Sequence, residues 1–446
     1  MSFFRSVAVL VSGTALGHGI TAGALPILSR LYTPADFSLL AVFAGLVSII
    51  SVAACLRFDV AVALPAHDSE ALTVLCLALG LALATSASLG ALVLLAPQWI
   101  TSWLNQPGLQ PYLWLLPIAV LVAGGYSALQ MWFVRQKKFP LIARSRVGQS
   151  IGAVTTQAAG GVLALGPVGL LLGHVMNSGV ACTFLGYRLF KEIQHHTAVR
   201  TLTWRSIRDT WRVYERFPKY STLEAISNNA AIHLPVIMIA ALAAPAEAGY
   251  LMMATYVMQA PMALIGTSVG QVYLSQAVHE HRQNALGPFT ANVLAGLIKS
   301  GVGPLLAVGI VSPAAFGPVF GNGWERAGVL VAWMTPWFIL QFLATPLSMG
   351  LHVTGHQRLA LLIQFAGLLL RLGFVWAASV WTPAAISESY ALSGFLFYGL
   401  YLWVIVRCTG AVNRKMLEIF SRSLAPIFLW GAMGGVFHLL LAWATR

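Results

Sequence analysis

Thirteen long apolar segments follow one another along the chain, and no other feature of the sequence restricts its fold so strongly. About 20 apolar residues allow a helix to cross the hydrocarbon core of a bilayer. The segments lack strand-like alternation, and lipid admits only helices or closed barrels, so the predicted fold class is all-α and polytopic. The predicted spans cover residues 6–31, 36–64, 70–95, 111–134, 143–164, 167–189, 219–243, 247–277, 288–311, 324–350, 358–381, 384–407 and 422–443.

Positive charge is distributed unevenly among the loops that join these segments. Of the 26 Lys and Arg residues, 20 lie in the N-terminus and in the loops reached after every second segment. Three others lie on the opposite side and three fall within segments: Arg30, Arg326 and Arg446, then Arg57, Lys299 and Arg371. Because basic loops stay inside, we expect a multi-pass membrane protein with a cytoplasmic N-terminus.

Composition excludes several functional classes. The chain is 58% hydrophobic and only 9% charged, which is too apolar for a water-soluble protein of 446 residues. The net charge of +13 belongs to loops that face anionic lipid, so it does not indicate a nucleic-acid partner. The four Cys residues show no metal-ligand spacing, and no phosphate loop, HExxH or GxSxG motif occurs. We therefore expect no metal, no cofactor and no enzymatic activity.

A basic linker divides the chain into two similar halves. The first helix of each half contains a Leu-Pro pair, and the next helix opens with PADFSLL at Pro34 or PAEAGYL at Pro245. Both motifs predict Pro at the first helical position and an acid in the first turn. The repeat predicts two six-helix bundles related by an axis along the membrane normal. The expected domains are residues 1–190, a linker at 191–218 with room for an amphipathic helix, residues 219–410, and an extra helix at 411–446.

Helix-breaking residues occur at corresponding positions of the two halves. Pro26 and Pro235 are expected to interrupt the first helix of each half, and Pro304 and Pro346 to kink others. Interrupted helices in matching positions are typical of a moving cavity between the halves of a transporter.

The seventh segment, KYSTLEAISNNAAIHLP, is the most polar. At helical spacing Glu224 and Asn228 share one face, and Asn229 and His233 share an adjacent face. This stripe favours a helix that lines a cavity, with Glu224 as a candidate site for a coupling ion. The alternative is that Glu224 is solvated near the interface and that the two Asn residues bind neighbouring helices.

Cations within the segments are candidate ligands for an anionic substrate group. Arg371 and Lys299 lie near the middle of their spans, where they cannot easily reach water. Arg30 lies at the end of the first span, where an interfacial anchor is the alternative interpretation. Arg57 and Asp59 lie about 160° apart on a helix, so each needs another partner; Asp59 is a second coupling candidate.

Several stretches resemble the Wzx-type flippases of O-antigen and polysaccharide units, in the multidrug/oligosaccharidyl-lipid/polysaccharide exporter (MOP) superfamily. They are GTALGHGITAGALPILSRLYTPADFSLL at 13–40, LRFDVAVALPAHDSEAL at 56–72, FPKYSTLEAISNNAAIHLP at 217–235, PMALIGTSVGQVYLSQ at 261–276 and, more weakly, FGNGWERAG at 320–328. The resemblance implies a two-lobed core of twelve helices that moves an undecaprenyl-pyrophosphate-linked oligosaccharide by alternating access through a cationic lumen. It makes Arg30, Arg57 and Arg371 candidate phosphate partners. A thirteenth helix departs from the family's even count.

The leading hypothesis is therefore a flippase for O-antigen or exopolysaccharide units in a bacterial inner membrane, with membrane lipids and other polysaccharide-assembly membrane proteins as expected partners. A cation-coupled antiporter of small molecules is the alternative within transport, and a cavity dominated by acids would favour it. A membrane glycan polymerase or ligase is the alternative outside transport. Such an enzyme is expected to carry a sizeable external loop, and the external loops here are short and uncharged.

Overall fold

The computed structural model describes residues 3–193, 204–411 and 414–444 of the chain. Within these ranges the protein is all-helical and contains no β-strand. The helices are α1 (Phe3–Leu31), α2 (Pro34–Ala54), α3 (Phe58–Ala61), α4 (Asp68–Leu95), α5 (Pro97–Trp103), α6 (Leu115–Arg135), α7 (Phe139–Val162), α8 (Pro167–Ile193), α9 (Trp204–Val213), α10 (Thr222–Leu242), α11 (Glu247–Arg282), α12 (Leu286–Leu297), α13 (Gly303–Phe320), α14 (Glu325–Ala344), α15 (Met349–Val353), α16 (Gln357–Trp381), α17 (Ile386–Thr409) and α18 (Arg414–Ala444).

Each predicted apolar segment corresponds to a long helix or to a consecutive pair of helices. Nine stretches of the described residues are long and apolar enough to cross a membrane. The protein is therefore a multi-pass membrane protein, as predicted. The thirteenth helix is α18, which packs against α13. We call the ends of helices on the side where α1 begins the inner ends, and the opposite ends the outer ends.

Helix α2 begins with the predicted Pro and has the predicted acid in its first turn. Helix α11 has the acid but not the Pro. Pro34 begins α2, and the Thr33 hydroxyl accepts a hydrogen bond from the Asp36 backbone N–H while the Asp36 carboxylate accepts one from the Thr33 N–H. These bonds satisfy backbone donors that a helix start leaves unpaired. The second motif does not place Pro245 at the first helical position, because α11 begins two residues later at Glu247.

Helix irregularities lie at only some of the predicted positions. Helices α1 and α10 continue through Pro26 and Pro235. The predicted span 36–64 instead ends at Ala54, and its remainder forms α3. A π-helical turn at Ile298–Val302 directly precedes Pro304, whose missing N–H removes a donor from the helix. A 3₁₀ turn at Thr345–Leu347 contains Pro346, as a predicted kink requires.

The chain forms two compact units, Met1–Ala241 and Leu242–Arg446. In the first unit α7 packs along both α1 and α8. Glycines allow this close approach: a Cβ at Gly160 would lie 2.5 Å from the Cα of Gly169. The predicted domain boundaries remain a prediction, and helix α10, expected to open the second bundle, makes its described contacts within the first unit.

The second unit is built around α14. This helix packs against α11, α13 and α17, and α16 packs against α17. Small residues again permit close contact, since a Cβ at Gly328 would lie 2.5 Å from the carbonyl oxygen of Ser312.

The linker contains the expected amphipathic helix, α9, which packs against α4. The segment between the predicted spans 111–134 and 143–164 is shorter than expected, because α6 extends to Arg135. Helix α7 begins at Phe139, so Arg144 and Arg146 lie on its first two turns. The Arg146 guanidinium there donates a hydrogen bond to the Thr14 hydroxyl of α1.

Candidate functional site

The polar face predicted on α10 is present and exposed. Glu224 and Asn228 lie one turn apart on the same face, and both side chains are exposed. Glu224 is seven residues from the start of the span Phe217–Leu242, or about 10 Å along the helix. An exposed carboxylate at that depth requires water or a polar partner. Cavity lining and solvation of Glu224 near the interface both remain predictions for this face.

Asn229 and His233 have different surroundings from Glu224 and Asn228. The Asn229 amide donates a 3.0 Å hydrogen bond to the Ala225 carbonyl of its own helix, and this bond does not join two helices. His233 is half-buried and faces α2, where a Cβ at Gly45 would lie 3.5 Å from its Cβ and 3.1 Å from Ile237 Cδ1. The outer half of α10 is thus packed, while its inner half is exposed.

Two amides outside the predicted site bind the outer end of α10. Asn105 Nδ2 donates to the Ala241 carbonyl over 2.7 Å, and Gln106 Nε2 donates to the Ala240 carbonyl over 2.5 Å. Carbonyls in the last turn of a helix lack a donor from within it, so side-chain amides can bind them. We call Asn105 and Gln106 the amide latch. An uncharged loop gives little warning of such a role, and we did not predict it.

Arg57 and Asp59 lie where the helix is interrupted between α2 and α3, rather than on one continuous helix. Leu56 and Arg57 have left-handed backbone conformations, with φ of 45° and 61°. The predicted helical angle between Arg57 and Asp59 is therefore wrong, because the helix ends before them. Asp59 is only 4% exposed, and its Oδ2 accepts a 2.6 Å hydrogen bond from the Ser127 hydroxyl. Non-glycine residues in this conformation are strained and often mark functional sites.

Among the residues that the structure describes, one oxygen of Asp59 and one nitrogen of Arg57 are buried without a hydrogen-bond partner. They are Asp59 Oδ1 and Arg57 Nε. Buried polar atoms normally have partners, so these two atoms indicate a site with spare hydrogen-bonding capacity.

Arg30 lies in the last turn of α1, where its side chain is exposed. The same face of α1 includes Gly19 and Gly23, where an added Cβ would meet no atom within 4 Å. Open space therefore borders this helix along several turns. This open space is compatible with both interpretations of Arg30, as an interfacial anchor and as a substrate ligand.

Lys299 is exposed within the π-helical turn of the continuous stretch Leu286–Phe320. It lies 13 residues from the inner end, or about 20 Å along the helix, near the middle of a bilayer. The exposed residues Asn292, Gly296 and Ser300 lie on its side of the helix. An ammonium group at this depth is stable only beside water or an anion, so this polar stripe is a second candidate cavity wall.

Arg371 is buried, with 6% of its surface exposed, and lies among aromatic rings of α14 and α17. Its guanidinium carbon is 4.6 Å from the ring centre of Phe397, 5.7 Å from Tyr398 and 5.9 Å from Trp337. Cation–π contacts of this kind stabilise a desolvated Arg. The sequence predicted the depth of Arg371 but gave no signal for the rings, which come from two other helices.

Arg326, which the charge distribution places on the side opposite the basic loops, joins three helices of the second unit. Its guanidinium binds Glu247 of α11 at 2.8 Å and Glu388 of α17 at 2.6 Å. All three residues lie in first turns, where the helix dipole also favours the carboxylates. The acid at Glu247, predicted only as a helix-start residue, therefore has a second role.

Metal-ligand geometry is not found in the part of the chain that the structure describes, where no group of three or more His, Cys, Asp or Glu residues could hold an ion. The candidate residues are instead cations, carboxylates and amides, with Arg30, Arg57, Asp59 and the polar face of α10 in the first unit and Lys299 and Arg371 in the second.

Sequence comparison decides the family. Residues 27–326 match the family described as "Polysaccharide biosynthesis protein". The chain belongs to this family. No curated protein sequence matches it.

Solved structures show the same fold. The lipid II flippase MurJ, in an inward closed conformation, is 13% identical, with a TM-score of 0.71 over 98% of this chain and 97% of its own. The eukaryotic MATE transporter AtDTX14 is 14% identical, with a TM-score of 0.53 over 95% and 100%. A MOP superfamily transporter from Pyrococcus furiosus is 14% identical, with a TM-score of 0.52 over 91% and 96%. The member of the polysaccharide biosynthesis family described here thus has the MOP transporter fold.

Proposed function

We propose that the protein is a flippase for a polyprenyl-pyrophosphate-linked oligosaccharide, an O-antigen or exopolysaccharide unit. It acts in the bacterial inner membrane with its N-terminus in the cytoplasm. Family membership supports a role in polysaccharide biosynthesis, and the MOP fold supports transport. MurJ, named as a flippase of lipid II, offers a precedent for a lipid-linked substrate on this fold.

The observation that carries the proposal is the exposed ammonium of Lys299 near mid-membrane. A charged side chain at this depth of the membrane is energetically unfavourable without a partner of opposite charge. A bound diphosphate is such a partner. The π-helical turn gives the surrounding backbone a local adjustment of the kind often found at functional sites. Asn292 and Ser300 beside Lys299 add donors for phosphate or sugar oxygens.

In this proposal the diphosphate binds cations and the glycan binds the polar face of α10. Arg30 and Arg57 in the first unit, and Lys299 and Arg371 in the second, are each taken by themselves as proposed ligands of the diphosphate. Arg suits this role because its planar group can donate two hydrogen bonds to one phosphate. The proposed glycan contacts are Glu224, Asn228, Asn229 and His233, and the lipid tail remains in the bilayer.

Alternating access in this proposal involves the outer end of α10. The amide latch holds that end while the inner, polar half of the helix is exposed. This arrangement suits a state that admits substrate from the inner side. Release of the latch would free the outer end so that the substrate can leave. Uptake of a proton or cation at Glu224 or Asp59 is the proposed coupling step.

The test is a vesicle assay that measures flipping of a purified lipid-linked oligosaccharide. We expect Lys299→Ala to slow flipping at least tenfold, a loss of about 1.4 kcal/mol or more of binding. Lys137→Ala is the matched control, because Lys137 is an exposed Lys outside the membrane-spanning helices. Unchanged flipping by both Lys299→Ala and Arg57→Ala would contradict the proposal.

The second candidate function is a cation-coupled antiporter of small molecules. The exposed Glu224 carboxylate and the likeness to MATE transporters favour it. Efflux of a small organic cation from the same vesicles, lost in Glu224→Gln and retained in Lys299→Ala, would support this alternative over the flippase.

A further inference from the structure

Helix α9 carries an exposed basic face. Arg205, Arg208 and Arg212 are all exposed, and at 100° per residue they lie within an arc of about 60°. Asp209 is the one acid on this side of the helix. Three cations and one anion leave the face with a net charge of +2, and Arg216 adds another cation just beyond the helix end.

The opposite side of α9 packs against other helices of the first unit. Trp211 packs against Phe58 with ring centres 5.2 Å apart, and Tyr214 packs against the buried core. Phe58 directly follows the left-handed residues Leu56 and Arg57. The packed side chains Trp211 and Tyr214 lie about 130° around the helix from the basic face. That angle directs the Arg side chains sideways along a membrane surface rather than into the protein.

Among the described residues, no Asp or Glu forms an ion pair with Arg205, Arg208 or Arg212. Two acids in the described part of the linker form ion pairs with other residues, Glu192 with Lys138 at 2.6 Å and Glu215 with Lys219 at 2.8 Å. The hydrogen bond and charge of Lys219 hold the pKa of Glu215 below its usual range, so this acid is committed to Lys219. Asp209 forms no such pair in the described residues, and the three guanidinium groups of α9 are left for an external anion.

We propose that the basic face of α9 binds the phosphate groups of anionic phospholipids in the leaflet on the inner side. An amphipathic helix with Arg on its polar face lies in the membrane interface, where anionic lipid attracts it. Each Arg near such a surface strengthens the interaction about fivefold. The inference rests on the proposed orientation only for naming the leaflet. It assigns α9 a lipid-binding surface separate from the transport path.

The experiment uses the full-length protein in bilayers with spin-labelled phosphatidylglycerol or phosphatidylcholine and measures the fraction of lipid immobilised on the protein. We expect a severalfold preference for phosphatidylglycerol that falls at least fivefold in the triple variant Arg205→Gln, Arg208→Gln, Arg212→Gln. The matched control is Lys137→Gln, Arg282→Gln, Arg358→Gln, which removes three exposed cations away from α9. It should keep the preference.

Two outcomes overturn the inference. One is an equal loss in both triple variants, which would mean that total charge rather than α9 attracts the lipid. The other is displacement of phosphatidylglycerol by trace polyprenyl diphosphate in the wild type but not in the α9 variant, which would make the face a substrate dock. Because the readout needs no flipping, a failed transport assay leaves this inference standing, and the reverse also holds.

Discussion

The Asn105 side chain donates a hydrogen bond to the Ala241 carbonyl over 2.7 Å and so binds the outer end of α10 to a loop 136 residues earlier. Gln106 makes the equivalent bond to Ala240. Since each neutral hydrogen bond contributes about 1 kcal/mol, the pair stabilises the attachment of the outer end of α10 by about 2 kcal/mol.

The first prediction tests this latch. The double variant Asn105→Ala, Gln106→Ala should increase the open population of the outer end of α10 about thirtyfold, as a 2 kcal/mol loss requires. Hydrogen exchange of the last-turn amides of α10 measures this population. Gln110→Ala is the control, because Gln110 is an exposed Gln in the same loop. Equal exchange in the double variant and the control would show that the two bonds do not hold the helix.

The second prediction concerns the Arg326 network. Arg326→Gln leaves Glu247 and Glu388, whose side chains are 12% and 16% exposed, without their cation. Breaking a largely buried pair costs about 3 kcal/mol, so the unfolding temperature in detergent should fall by several degrees. Adding Glu247→Gln and Glu388→Gln to Arg326→Gln should restore part of it, because no unpaired carboxylate then remains. A lower temperature in the triple variant than in Arg326→Gln would disprove this account.

The third prediction concerns the close contact of α7 and α8. A Cβ at Gly169 would lie 2.1 Å from the Tyr32 hydroxyl, which itself donates a 2.6 Å hydrogen bond to the Gln157 carbonyl. Gly169→Ala should therefore destabilise the protein by about 2 kcal/mol through overpacking, seen as lower thermal stability. On the same helix, Gly179→Ala should be tolerated, because its Cβ would be 3.7 Å from the flexible end of Met176. Equal stability of the two variants would contradict the packing argument.

Sequence predicted the helices well because length and apolarity in a membrane leave few alternatives. A helix or a pair of helices lies at each of the thirteen predicted segments, nine stretches of the described residues are long and apolar enough to cross a membrane, and the linker contains the predicted amphipathic helix. The polar face of α10 followed from helical spacing alone, since Glu224 and Asn228 lie on one helix.

The spacing of residues along the sequence does not show which side chains of distant segments contact each other. The rings around Arg371 come from α14 and α17, and the carboxylates of Arg326 come from α11 and α17. The break at Leu56 and Arg57 was also missed, because neither residue favours the left-handed conformation that they adopt. That strain is imposed by tertiary packing, which no local pattern records.

The last prediction separates strain from charge at Arg57. Arg57→Ala and Arg57→Gly both remove the cation, so both should slow flipping of the lipid-linked substrate to the same low rate if Arg57 binds its diphosphate. The two variants should differ in stability, because Ala retains the penalty of φ near 61° and Gly does not. We expect Arg57→Gly to exceed Arg57→Ala by about 1 kcal/mol in unfolding free energy. If Arg57→Gly instead flips substrate at the wild-type rate while Arg57→Ala does not, the backbone conformation rather than the guanidinium group supports transport, and Arg57 leaves the set of proposed diphosphate ligands.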